Sequence, residues 1–370
     1  MLFPEKKLGF GLMRLPLAAD GTIDLGRVCA MVDAFLAGGF TYFDTAYGYH
    51  EGKSEPTIRK ALVERHPRDS FTLATKLPAW FLKGPESVQQ IFDEQLERTG
   101  AGYFDYYLLH AVDSDNVQTY DRYDCWNWAL RMRAEGRIRH FGFSFHDTAA
   151  VLDELLTKHP EVDFVQLQLN YLDWDNELVQ SAACYATATR HGVPVVVMEP
   201  VKGGTLAAMP EDAAKILRDY APDASLPSWA IRFCASLENV KMVLSGMSTE
   251  DQMADNVRTM SDFRPLTEEE RDLLRQAADK LRDLAMVPCT ACRYCEEGCP
   301  QGIHIPDLIR CLNHRKVYGK SGDLKERYQA LVKEGAPASA CVGCGQCEGV
   351  CPQHLPVPEI LRETAEAFEG

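Results

Sequence analysis

Eight of the chain's thirteen cysteines fall in one spacing written twice. Cys289, Cys292, Cys295 and Cys299-Pro300 recur 52 residues later as Cys341, Cys344, Cys347 and Cys351-Pro352. In a C-x2-C-x2-C-x3-C-P run, three closely spaced thiolates cap three irons of a cubane, and the fourth cysteine, before proline, reaches the other cluster. The doubled run therefore predicts two [4Fe-4S] clusters. One falls on Cys289, Cys292, Cys295 and Cys351, the other on Cys341, Cys344, Cys347 and Cys299. Such crosswise sharing ties both halves of the segment into one unit. Structural zinc and disulfides are the alternative readings. Zinc takes two CxxC pairs or Cys/His pairs, which a doubled third cysteine followed by CP does not match. The electron-handling segment fills only the last quarter of the chain.

A chain of 370 residues exceeds the usual single-domain size, so two domains are expected. Hydrophobic content of 46% and charged content of 25% are those of a soluble globular protein. The net charge of −15 argues against nucleic-acid binding and against attraction to an anionic membrane surface. The opening MLFPEKKLGFGLMRLP carries no apolar stretch with a small-residue cleavage site, and no run reaches the ~18 apolar residues of a membrane span. A cytoplasmic protein without a membrane partner is the expectation, and cysteines there read as metal ligands or buried thiols. Cys29, Cys125, Cys184, Cys234 and Cys311 lie in apolar or helical settings and are expected to pack in cores.

From residue 8 to about 260, short β-rich runs alternate with amphipathic helical stretches. The strand candidates are Leu8–Met13, Thr41–Asp44, Phe71–Lys76, Phe104–His110, Ile138–Phe143, Phe164–Asn170, Pro194–Glu199 and Val240–Gly246. Ser87–Thr99 shows the helical pattern between them, with Val88, Ile91, Phe92, Gln95 and Leu96 on one face. Val195-Val196-Val197-Met198 is nearly all apolar, as a parallel strand covered on both faces requires. Eight strands, each followed by a helix, predict an α/β fold of the (β/α)8 TIM-barrel kind. A doubly wound open sheet is the alternative, weakened by the count of units and by the lack of GxGxxG. Thr267–Ala285 reads as one more helix, with Thr267 as N-cap and Glu268, Glu269 and Glu270 in its first turn. The expected domains are residues 1–285 and 286–370, joined at Met286-Val287-Pro288. Helical patterning around Pro306–Lys316 and Leu324–Lys333 separates the cysteine runs. That layout resembles a small, mainly α-helical two-cluster ferredoxin domain.

Asp44 closes the second strand, and Tyr49 follows it in DTAYGYHEGKSE; Lys76 ends the third and His110 the fourth. All stand at carboxyl ends of barrel strands, where such barrels place their chemistry. A lone His or Tyr at a strand end is ordinarily structural; four groups able to share a proton on successive strands are less easily so. The stretches FDTAYGYHEGKSE, ATKLP, YYLLH, FGFSF, VQLQLNY, MEPVKGG and SGMSTEDQMADN, in this order, resemble the aldo-keto reductase family over residues 1 to about 285. With the cysteine runs, the whole chain resembles that family's iron–sulfur-containing branch. The resemblance implies an oxidoreductase that reduces or oxidises a small carbonyl or alcohol with NAD(P)H, using Asp44, Tyr49, Lys76 and His110 as its tetrad. Tyr49 would be the general acid, its phenol, ordinarily at a pKa of ~10, lowered by Lys76. Asp44 would hold Lys76, and His110 would orient the carbonyl oxygen.

For the nucleotide, the resemblance puts Ser144 and Gln166 at the nicotinamide carboxamide. It puts Lys202, Gly203, Gly204, Gly246, Ser248, Gln252 and Asn256 along the pyrophosphate and adenosine. Phe145 departs from the family's asparagine and Met198 from its stacking aromatic. Gly246 and Gln252 stand where NADPH-preferring members carry Lys and Arg, so the choice between NADP and NAD stays open. Arg14 and Glu199, at the ends of the first and seventh strands, read as cofactor or substrate contacts or as structural ion pairs. Nicotinamide moves two electrons and a cluster one, and no flavin signature supplies a converter. Three readings follow: a carbonyl reductase whose clusters stabilise or dock a partner; a reductase fed through its clusters by a ferredoxin or flavodoxin-like carrier; and a non-catalytic redox-sensing or interaction protein.

Overall fold

The computed structural model describes residues 2–284, 286–318 and 322–370. It divides into two compact units, residues 1–200 with 227–267, and residues 201–226 with 268–370. The expected helix end and domain limit at Ala285, and the limit at Met1, lie outside the described residues.

The first unit is a closed barrel of eight parallel strands in sequence order, β8 pairing back onto β1. The strands are β1 Leu8–Gly11, β2 Tyr42–Asp44, β3 Thr72–Pro78, β4 Phe104–Val112, β5 Ile138–Phe145, β6 Phe164–Gln168, β7 Val195–Met198 and β8 Val240–Ser245. Every expected strand is present, with ends shifted by a few residues. β3 and β4 run past Lys76 and His110 because they remain paired there, Leu77 against Leu109 and Pro78 against His110. Helices such as Leu25–Ala37, Pro85–Thr99 and Glu250–Ser261 follow strands and bury their apolar faces.

Side chains alternate along a strand, so residues two apart share a face. One inward layer is apolar: Tyr42, Ala74, Tyr106, Phe164, Val196, Met242 and Leu244 pack with Phe3 from the N-terminal segment. The Phe3 ring stacks on Tyr106 at 5.1 Å between centroids. Two residues farther along the same strands, the layer becomes polar: Asp44 after Tyr42, Lys76 after Ala74 and Gln166 after Phe164. The apolar layer is thus the floor on which a polar site stands.

In the second unit, Glu211–Tyr220 packs on Glu268–Arg282. Helices Ile305–Tyr318, Gly322–Glu334 and Val357–Phe368 surround a core of Ile305, Leu308, Leu312, Tyr328, Val357 and Leu361, among others. The 52-residue repeat of the sequence is also a repeat of the backbone. Ala291, Arg293 and Gly302 hold positive φ, and so do their counterparts Gly343, Gly345 and His354. The one-turn helices Tyr294–Glu297 and Gln346–Gly349, and the longer helices from Ile305 and from Val357, occupy matching places. No helix among the described residues is long and apolar enough to cross a membrane.

Candidate active site and cluster sites

Strand alternation and the turn after β2 bring the four expected barrel residues together. The Lys76 ammonium donates to Asp44 Oδ1 at 2.6 Å, to the Thr45 carbonyl at 2.7 Å and to the Tyr49 hydroxyl at 3.3 Å. His110 meets the Tyr49 ring edge-on, with centroids 5.9 Å apart. Lys76 and Asp44 are sealed from solvent, their side chains 1% and 4% exposed. Burial pulls the lysine down from its ordinary pKa and pushes the aspartate up, each shift opposed by attraction to the other. Burial, reinforced by the Lys76 charge and by His146, holds the His110 imidazole well below its usual range. His110 is therefore neutral at neutral pH, able to donate one hydrogen bond without carrying a charge.

A second polar layer behind this group was not apparent from sequence. Glu55 Oε1 accepts from Thr75 Oγ1 at 2.7 Å and from Gln95 Nε2 at 2.8 Å, and Gln95 Nε2 also reaches the Lys76 carbonyl at 3.1 Å. Tyr107 closes the network by donating to Gln95 Oε1 at 2.7 Å. Burial raises the Glu55 carboxyl above its ordinary pKa. The available signal was Gln95, a polar residue in the apolar stripe of Pro85–Thr99. Trp80, half exposed after β3, lies 5.0 Å from the His110 ring, and Phe81 packs edge-on against Tyr47 at 5.1 Å.

Ser144, near the end of β5, and Gln166, in the middle of β6, are register partners. Ser144 Oγ accepts from the Ala111 amide at 2.7 Å, leaving its own proton to donate. Gln166 Nε2 donates to Asp44 Oδ2 at 3.3 Å, which aims the amide at the tetrad. After β8, Gln252 Oε1 accepts from the Ser248 amide at 2.7 Å, and Asn256 Nδ2 donates to Ser245 Oγ at 3.0 Å. A side chain at Gly246 would meet the Arg14 stem within 3.1 Å. Arg14 and Glu199 pair with each other at 3.7 Å.

Lys202, Gly203 and Gly204 belong to the second unit and all hold positive φ. Gly203 is required there: at φ +60° a Cβ would sit 2.3 Å from the Thr290 carbonyl oxygen. Lys202 and Thr290 are both buried.

The eight cysteines of the two runs sort into two groups. Cys289, Cys292, Cys295 and Cys351 line one pocket. Cys299, Cys341, Cys344 and Cys347 line another. Each group draws three cysteines from one run and the proline-adjacent fourth from the other. Four thiols around one cavity are the donor set a [4Fe-4S] cubane takes. Of the remaining cysteines, Cys125, Cys184, Cys234 and Cys311 are buried and Cys29 is partly exposed. Burial pushes the Cys125 and Cys184 thiols up to about 12.

Residues 7–279 match the model of the aldo/keto reductase family, and residues 288–355 match that of a 4Fe-4S dicluster domain. The chain belongs to the aldo/keto reductase family. It is an oxidoreductase by family and carries an iron–sulfur dicluster domain at its C-terminal side. The NADH-specific methylglyoxal reductase of Escherichia coli is 23% identical over 332 residues, covering 74% of this chain and 95% of that protein. The uncharacterized oxidoreductase YqkF of Bacillus subtilis is 24% identical over 302 residues, covering 72% of this chain and 94% of that protein. Among solved structures, the holo form of aldo-keto reductase AKR11C1 from Bacillus halodurans superposes with a TM-score of 0.60 at 27% identity. It covers 73% of this chain and 91% of that one.

Proposed function

We propose that this aldo/keto reductase reduces an aldehyde or ketone with NAD(P)H, taking the proton from Tyr49. The observation that carries the reading is the sealed Lys76 ammonium, 2.6 Å from Asp44 and 3.3 Å from the Tyr49 hydroxyl. Bound nicotinamide would supply the hydride. The chain's own residues handle the proton. Tyr49 gives its phenolic proton to the substrate oxygen, and the adjacent ammonium stabilises the phenolate left behind. Asp44 and the Thr45 carbonyl occupy the other donors of Lys76 and fix its direction. Neutral His110 orients the same oxygen by one hydrogen bond. Trp80 and Phe81, 50% and 41% exposed, offer apolar aromatic surface near His110 and Tyr47 and favour a carbonyl borne on a flat or apolar group.

The residues expected around the nicotinamide fit it in part. The Ser144 hydroxyl proton and the Gln166 carbonyl match a carboxamide. Neither Gly246 nor Gln252 can supply positive charge to a 2′-phosphate, and Gln252 is engaged with Ser248. NADH is therefore proposed to serve at least as well as NADPH. The two cysteine groups are proposed to hold two [4Fe-4S] clusters, which exchange single electrons when bound.

A second reading, electron exchange with an external one-electron protein carrier of ferredoxin or flavodoxin type, is favoured by an asymmetry between the repeats. Thr290 is 2% exposed, whereas its counterpart Val342 is 63% exposed and Cys344 beside it is exposed too. The cluster on Cys341, Cys344, Cys347 and Cys299, whose ligand loop is the more exposed, would be the port. Anaerobic titration of the holoprotein with NADH, with and without an aromatic aldehyde, separates the readings. Carbonyl-dependent NADH oxidation with constant cluster absorbance supports the first. Bleaching of the clusters by NADH alone supports the second, in which electrons pass between the nicotinamide and the clusters. No oxidation with any carbonyl sinks the reductase reading.

A further inference from the structure

Three consecutive residues after Tyr49 hold positive φ: His50 at 53°, Glu51 at 55° and Gly52 at 79°. A left-handed residue that bears a Cβ costs ~1–2 kcal/mol, so such a turn persists only where its surroundings dictate it. Two contacts do so. The Leu15 amide donates to His50 Nε2 at 3.1 Å, and Ser54 Oγ donates to the Leu12 carbonyl at 3.2 Å while lying 2.8 Å from Thr45 Oγ1. Within the turn, the Lys53 and Ser54 amides donate to the His50 and Tyr49 carbonyls at 3.0 and 3.1 Å. The turn that carries the phenol is thus strapped at both ends to Leu12–Leu15. That segment is anchored on its far side, where Ser248 Oγ donates to the Arg14 carbonyl at 2.8 Å.

We propose that His50 is a positioning residue for Tyr49: its Nε2, as acceptor for the Leu15 amide, holds the strained turn that aims the phenol at Lys76. The proposal rests on the reading of Tyr49 as proton donor. An imidazole accepting at Nε2 carries its proton on Nδ1 and is neutral. Burial lowers the His50 pKa and so favours that form. The charged groups around it are Glu51 and Lys53 in its own turn and, beside Leu15, Arg14 paired with Glu199. Protonation at Nε2 would set two N–H groups against each other and release the strap. The phenol would then lose its aim while Lys76 and Asp44 stay paired.

The test uses the full-length holoprotein with His50→Gln, whose amide oxygen can still accept from Leu15, and His50→Leu, which cannot. Two quantities are read: amide hydrogen exchange at Leu15 and across the turn, and reduction of 4-nitrobenzaldehyde by NADH between about pH 5 and 8. His50→Leu should exchange faster at both places and lose about tenfold or more in kcat, since a misplacement of ~1 Å can cost ~100-fold. Its KM for NADH should barely change. His50→Gln should restore both at neutral pH and lack the acid-side fall that the natural protein shows. Unchanged exchange in His50→Leu, or faster exchange with unchanged kcat, overturns the proposal. If the natural protein reduces no carbonyl, the proton-donor reading fails instead, and the exchange data still decide whether His50 holds the turn.

Discussion

Lys76→Met separates what the buried cation does for the fold from what it does for the reaction. Methionine keeps most of the lysine's length and removes the charge. Asp44 would then lose its 2.6 Å partner and keep only the Gln166 amide at 3.3 Å. Stripping one member from a pair whose side chains are 1% and 4% exposed should cost about 3–5 kcal/mol at neutral pH. The variant Asp44 would respond by protonating. Its folded pKa would lie above the unfolded ~3.9, so its favourable term is present at low pH and lost as pH rises through the folded value. The stability gap to the natural protein should therefore narrow on acidification. Adding Asp44→Asn should recover most of the loss, because no buried charge remains. Urea unfolding followed by tryptophan fluorescence measures this in the barrel alone, since Trp80, Trp126, Trp128, Trp174 and Trp229 all lie in the first unit. Both variants should still lose about 10²–10⁴-fold in carbonyl reduction, the usual scale of general acid catalysis. A cost below ~1 kcal/mol for Lys76→Met, indifferent to pH, would refute the reasoning, for the pair would then have contributed no more than an exposed one.

Three other outcomes are expected. His110, with its folded pKa held well below the unfolded ~6.5, contributes stability that is complete above that value and is lost as pH falls, by up to about 1.4 kcal/mol per pH unit; His110→Gln should flatten the acid side of the barrel's stability curve. Cys351→Ala should halve the iron content, from about eight to about four per chain, leaving the cluster on Cys341, Cys344, Cys347 and Cys299 visible by electron paramagnetic resonance after one-electron reduction with dithionite. Gly203→Ala, at φ +60° and 2.3 Å from the Thr290 carbonyl, should strain the second unit by about 1–3 kcal/mol and speed amide exchange in the segment around Thr290; unchanged exchange there would show that the contact yields easily.

The barrel was legible because its determinants are local and repeated. Apolar runs of strand length, separated by amphipathic helices, leave few architectures open, and all eight strands appear where the pattern placed them. Their ends were less legible, because the extension of β3 to Pro78 depends on pairing with His110 of the neighbouring strand. The cysteine grouping could be read from spacing for the same local reason: the repeat places the cysteines and carries the backbone conformations around them. What could not be read depends on contacts between distant loops. Nothing in the residue pattern announces that the Leu15 amide meets His50, that Gln95 bridges Glu55 and the Lys76 carbonyl, or that Arg14 and Glu199 choose each other. Nor does the doubled motif reveal that Thr290 is buried while Val342 faces solvent.

The central claim is that Tyr49 delivers the proton in a nicotinamide-dependent carbonyl reduction. Its most direct test is anaerobic stopped-flow oxidation of NADH by the natural holoprotein and by Tyr49→Phe in the presence of an aromatic aldehyde, with cluster absorbance followed in the same trace. The account predicts that the natural protein consumes NADH and aldehyde in equal amounts. Tyr49→Phe should be slower by about 10²–10⁴-fold, with cluster absorbance at its natural level. Turnover in Tyr49→Phe at the natural rate would contradict it.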